Sequence, residues 1–162
     1  MPTVGNTSAV MNLAIIGHLA LLREQFGEVL VPRAVVEELR LAEDLPGNGE
    51  IREAIRVGWL QPREAKQQAL VRSLRRELDL GEAEAIALAI ELNAERILLD
   101  ERDARRVAKS QGLKVTGVVG ILRRARLEKR IPSLREAIGR LRDEAGFHLD
   151  DELVEEILRG ND

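Results

Sequence analysis

Glu38, Glu82, Asp100 and Asp103 are acidic side chains placed where a folded chain of this pattern could gather them. Carboxylates brought together repel one another, and each resists burial while charged. A divalent cation removes that conflict. Mg²⁺ and Mn²⁺ prefer hard oxygen ligands and keep waters of their own. An ion held this way activates water and stabilises the oxygens of an attacked phosphodiester. Asp103 lies one helical turn beyond Asp100 and could join the group. Taken singly, each acid also has a plainer reading. Glu82 fits a helix N-terminal acid, Asp100 an N-cap with Asp103 in the same first turn, and Glu37, Glu38 and Glu43 a solvated face. Only the joint pattern points to a cation.

The elements that must position these acids are strands. Thr3-Val4-Gly5 is short and β-compatible and runs into the capping residues Asn6-Thr7-Ser8. Apolar residues then recur at helical spacing from Val10 to Leu22, with a break at Gly17. Glu28 to Val31 is a second strand, and Pro32 opens a helix that carries Glu38 and runs to the Pro46-Gly47-Asn48-Gly49 loop. A short helix over 50–56 leads to an edge strand at Trp59-Leu60, and Pro62 opens a charged helix to about Leu78. Asp79-Leu80-Gly81 breaks that helix, and the next spans Glu82 to Leu92.

Arg96 to Leu99 is the best strand; it passes through Asp100 into a helix from Arg102 to Gln111. Gly112 stops that helix, Lys114 to Thr116 makes another strand, and helices follow to Lys129. Ser133 caps a helix to Leu141, and Asp150-Asp151 starts a last one ending at Gly160. Strands alternating with helices predict an α/β fold with helices on both faces of a central parallel sheet of about four or five strands. The expectation is a single domain over 1–162, with the helices of about 133–160 packed on it or at an oligomer interface. In open parallel sheets, sites gather at the carboxyl ends of strands, which here offer Asn6, the segment after Val31, Asp100 and Thr116.

Composition narrows the chemistry. The chain has 162 residues, 44% of them hydrophobic and 33% charged, so it is long enough and apolar enough to fold around its own core. It lacks cysteine, which excludes disulfides, zinc–thiolate sites and thiol nucleophiles. With two Phe, one Trp and no Tyr it cannot build the aromatic platform of a base-stacking domain, so Trp59 reads as packing. A net charge of −3 leaves only local patches for nucleic acid. Arg102, Arg105 and Arg106 form one such patch beside the candidate acids, and Arg123, Arg124, Arg126, Lys129 and Arg130 read as an ordinary solvated face. His18 and His148 are too far apart in sequence to suggest a histidine site, and Gly117 to Gly120 carries no phosphate-loop lysine. The apolar-biased run from Ala9 to Leu22 is broken by Asn12, Gly17 and His18. With no signal-peptide pattern at the start, the expectation is a soluble cytoplasmic protein.

The chain resembles the PIN-domain family, in the branch related to VapC-type toxin ribonucleases. The resemblance is carried by Val4-Gly5-Asn6-Thr7-Ser8 with the apolar stretch ending Ile15-Ile16-Gly17, and by VPRAVVEEL over 31–39. LDLGEAEAIALA over 78–89, ILLDERDARRVA over 97–108 and GLKVTGVVGILRRA over 112–125 complete it. The resemblance implies a three-layer fold with acids at the carboxyl edge of the sheet, Mg²⁺ or Mn²⁺ binding, and cleavage of single-stranded RNA. The family's first acid falls on Asn6, the second on Glu38, the third on Glu82 with Glu84 as its neighbour, and the fourth on Asp100 with Asp103 as an auxiliary. Thr7 or Ser8 matches the hydroxyl residue that follows the first acid.

The implied catalytic set is therefore Asn6, Glu38, Glu82 and Asp100; the implied metal ligands are Glu38, Glu82, Asp100 and Asp103. Thr7, Ser8, Arg102, Arg105 and Arg106 are the expected RNA contacts. Toxins of this kind bind an antitoxin across the acid-lined cleft, and relatives commonly form homodimers. The departure is Asn6, whose amide oxygen can coordinate an ion but carries no charge. Two readings follow: a metal-dependent ribonuclease, or a catalytically weakened fold that binds RNA or protein.

Overall fold

A computed structural model of the chain describes residues 2–159. Its elements are β1 (Thr3–Gly5), α1 (Thr7–Ile15), α2 (Ala20–Phe26), β2 (Val29–Pro32), α3 (Arg33–Leu39), α4 (Asn48–Val57), β3 (Leu60–Arg63), α5 (Gln68–Leu74), α6 (Leu80–Glu91), β4 (Arg96–Leu98), α7 (Arg102–Ser110), β5 (Lys114–Thr116), α8 (Val118–Leu127), α9 (Leu134–Asp143) and α10 (Asp151–Leu158). The five strands form one parallel sheet in the order β3-β2-β1-β4-β5. Val4 pairs with Leu30 on one side and with Ile97 on the other.

Side chains of a strand alternate between faces, and the sheet uses both. Val29, Val31 and Leu98 pack into one core with α1, α2, α8, α9 and α10. Val4, Leu30, Ile97 and Leu99 pack into a second core with α5, α6 and α7. The result is three layers, helix–sheet–helix. No helix among the described residues is long and apolar enough to cross a membrane.

Strand order decides where a site can form. The chain fills the sheet outward from β1 through β2 to β3, then returns to the other side of β1 for β4 and β5. The reversal lies between β1 and β4, so their carboxyl ends flank a crevice that no crossover covers. Asn6 follows β1 and Asp100 follows β4 by two residues.

Several sequence expectations need correction. Pro62 lies within β3, paired with Val31, and α5 begins only at Gln68. β3 is an edge strand, where a missing N–H costs nothing because no second neighbour needs it. The helix after β2 stops at Leu39 rather than near Pro46, because Arg40 takes a left-handed backbone with φ 52°. Gly81 does not break a helix. It sits in the first turn of α6, which starts two residues earlier than Glu82. The spacing of the last helix puts Leu149, Leu153, Ile157 and Leu158 on one apolar side; Leu149 and Leu158 are buried and Ile157 packs against the core, but Leu153 is exposed and Val154 packs in its stead. The expected end of that helix at Gly160 lies outside the described residues.

Candidate active site

Asn6 is the N-cap of α1, yet its side chain makes no capping hydrogen bond. It is buried, and its Oδ1 is the one buried side-chain N or O atom without a hydrogen-bond partner among the described residues. A buried acceptor left unpaired costs about 1–3 kcal/mol, so this oxygen is set to meet something that brings positive charge or a hydrogen.

The next two residues turn into the crevice and hold its acids. Thr7 Oγ1 donates to Glu38 Oε2 at 2.6 Å, and Ser8 Oγ donates to Asp100 Oδ2 at 3.3 Å. The backbone N–H of Val118, first residue of α8, donates to Asp100 Oδ1 at 2.9 Å. Burial pushes the Asp100 carboxyl above the usual carboxylate range, while these two donors and the nearby Arg105 guanidinium pull it back. Arg105 itself is anchored by Nη1 to the carbonyl of Leu99 at 3.0 Å. Asp100 is not a helix cap: that role belongs to Glu101, whose carboxylate accepts from the N–H of Ala104.

Two glycines make room for these carboxylates. A Cβ at Gly81 would stand 3.0 Å from Glu38 Cδ and closer still to Oε1. A Cβ at Gly117 would stand 2.6 Å from Arg105 Nη1 and 2.8 Å from Asp100 Oδ1. Both are needed for space, since neither takes a positive φ.

Glu82 is buried at the start of α6, where it closes a capping box with Asp79. Its carboxyl is pushed up to about 7, chiefly by burial and then by the like charges of Asp79, Glu101 and Glu38, against the backbone N–H of Asp79 that favours the charged form. Glu82 is thus both a cap and a member of an acidic group. The spacing Asp79-x-x-Glu82 is a capping-box signal readable in the sequence, although the sequence reading placed a break there.

The crevice therefore gathers Asn6, Glu38 and Asp100 through the first turn of α1, with Glu82 in electrostatic reach of Glu38. Among the described residues no three Asp, Glu or His side chains stand close enough to hold a metal ion by themselves. Asp103 is not brought in. It is exposed and lies 4.0 Å from Arg106, which is paired with Glu77 at 2.8 Å. Glu84 turns instead to the amino end of α3, where it accepts from the N–H of Ala34 at 3.0 Å. Asp100, Arg102, Arg105, Arg106 and Lys109 line an open groove of about 550 Å³. Glu101, Asp79, Lys109 and the two space-making glycines are the neighbours that reading the sequence missed; apart from the capping box, their signal is one of three-dimensional contact.

The donor types suit a hard divalent cation, although among the described residues three acids do not converge on one point. All are oxygens, one is a buried acceptor with no partner, and Glu82, raised chiefly by burial, also faces like charges that a cation would relieve.

A family model for PIN domains matches residues 2–161. A solved structure, a PilT N-terminus domain protein from the hyperthermophilic archaeon Sulfolobus solfataricus P2, is similar at 19% identity with a TM-score of 0.50, covering 75% of this chain and 90% of that one. At that identity the likeness concerns the fold. No curated protein matches the chain.

Proposed function

The chain belongs to the PIN-domain family, whose members are commonly nucleases, and from that premise we propose that it is a metal-dependent endoribonuclease, the toxin of a toxin–antitoxin pair. The observation that carries this reading is the unpartnered Asn6 Oδ1, buried at the sheet's switch point beside the Ser8–Asp100 pair. Asp100, Glu82, Glu38 and the Asn6 oxygen would hold Mg²⁺ or Mn²⁺, with Asp103 at most an outer group. When bound, the ion supplies Lewis acidity toward the phosphoryl oxygens and lowers the pKa of a nucleophilic water. Glu82, whose carboxyl burial pushes up to about 7, would have to give up its proton to ligate the ion. Arg102, Arg105, Arg106 and Lys109 carry the RNA backbone along their groove toward Asp100. Thr7 and Ser8, expected as RNA contacts, commit their hydroxyl hydrogens to Glu38 and Asp100 and so position those acids. A cytoplasmic location belongs to the same proposal, and an antitoxin partner and a homodimer follow from the resemblance.

Titration calorimetry with Mn²⁺, paired with cleavage of single-stranded RNA, tests it. Saturable binding and metal-dependent cleavage are expected, both lost in Asp100→Ala. Asp100→Asn keeps an acceptor for the N–H of Val118 and guards against loss by misfolding. Full cleavage by either folded variant refutes the assignment.

A second reading is favoured by the neutral Asn6 and by the lack of three converging acids among the described residues. In it the fold binds RNA or protein without cutting. Asn6→Asp separates the two: cleavage that appears only in this variant makes the native chain a binder.

A further inference from the structure

In the sequence Asn12 is a polar interruption of an apolar run, yet in the fold it is buried, like Ala9, Val10, Leu13 and Ala14 of the same helix. A buried amide is costly unless it is hydrogen-bonded. Its bond runs toward the crevice. Asn12 Nδ2 donates to Ser8 Oγ at 3.1 Å, one helical turn back, and Ser8 Oγ donates to Asp100 Oδ2 at 3.3 Å.

The direction of this chain is fixed by hydrogen counting. An ionised carboxylate only accepts, and a serine hydroxyl has one hydrogen to give. The three groups are all satisfied only if the Asn12 amide donates and Ser8 passes its single hydrogen to Asp100. With Val118 N–H on Oδ1, the Asp100 carboxylate is then held at both oxygens.

We infer that Asn12 is a positioning residue of the site, fixing the Ser8 hydroxyl so that it orients the Asp100 carboxylate. The inference deepens the proposed nuclease reading and rests on it for the use Asp100 is put to. The orientation itself stands without a metal.

The test follows from polarity. Asn12→Asp keeps the shape and replaces the donor by an acceptor, so two carboxylates compete for the one Ser8 hydrogen. Asn12→Leu keeps the volume and removes the polarity, in case a buried charge prevents folding. The first readout needs no metal: the Val118 amide, followed by ¹⁵N–¹H spectra and hydrogen exchange. Its resonance should shift upfield, and its exchange should quicken about tenfold, as Asp100 loosens. The second readout is Mn²⁺ affinity by calorimetry, expected to weaken by about the same factor.

Both effects should vanish in a Ser8→Ala background, because Asn12 acts only through that hydroxyl. Equal effects with and without Ser8, or an unmoved Val118 amide in a folded Asn12 variant, would overturn the inference. If the native protein binds no Mn²⁺, the metal reading fails, and the Val118 readout still decides the role of Asn12.

Discussion

Gly81→Ala should leave stability nearly unchanged while stripping Glu38 from the site. Gly81 lies in the first turn of α6 with an ordinary negative φ, so the backbone accepts alanine. Replacing a helical glycine by alanine stabilises by roughly 0.5–1 kcal/mol. Against this, the new Cβ would stand 3.0 Å from Glu38 Cδ and 3.2 Å from Oε2, inside ordinary contact. Glu38 is exposed, so its carboxylate can swing away rather than force the helices apart. Leaving breaks its 2.6 Å bond from Thr7, which stabilises by about 0.5–1.5 kcal/mol. The two changes offset to within about 1 kcal/mol.

Urea denaturation measures that balance. Mn²⁺ calorimetry measures the displacement, and about a tenfold loss of affinity is expected if Glu38 is a ligand. Glu38→Gln should match that loss, and the double variant should add little. Destabilisation beyond about 2 kcal/mol would mean that Glu38 cannot move, and unchanged affinity would mean that it is not a ligand; either result refutes the reasoning.

Glu82 makes the protein's stability depend on pH. Its folded-state pKa is raised from 4.5 to about 7, so the folded chain binds a proton more tightly than the unfolded one. Its contribution is fully present below about 4.5 and is lost as pH rises toward about 7. Metal-free urea midpoints should therefore fall across that window, and Glu82→Gln should flatten the slope. Mn²⁺ must displace the same proton, so affinity should weaken below about pH 7 in the native protein. Asn48→Ala should cost about 1–3 kcal/mol in urea denaturation. Asn48 Nδ2 donates to the carbonyls of Leu39, Arg40 and Glu43, which close the turn after α3, and Glu38 sits at the end of that helix. An unchanged midpoint would show that water replaces the amide.

The order of the elements was legible in the residues themselves. Short apolar runs such as Val29–Val31 and Ile97–Leu98, punctuated by caps and glycines, mark β1, β2, β4 and β5, and Trp59-Leu60 marks only the start of β3, because turn chemistry and hydrophobic pattern are local properties. Ser133 and Asp150 cap the helices the sequence assigns to them. That acids stand at strand ends was equally visible. What failed was any reading that depended on a neighbour. Pro62 reads as a helix start until β3 proves to be an edge. Gly81 reads as a breaker until Glu38 is found above it. Asn12 reads as an interruption until its amide is found donating to Ser8, which donates in turn to Asp100.

The sequence by itself determined which residues carry oxygen donors and on which elements they ride. Only the tertiary structure decided which atoms meet, because that follows from placing β4 beside β1 after the chain has gone out to β3 and back. Thr7 and Glu38 are 31 residues apart, and Ser8 and Asp100 are 92 apart. No local periodicity encodes such a pairing. It is set by the strand order, and the strand order is set by how two hydrophobic cores share the faces of one sheet.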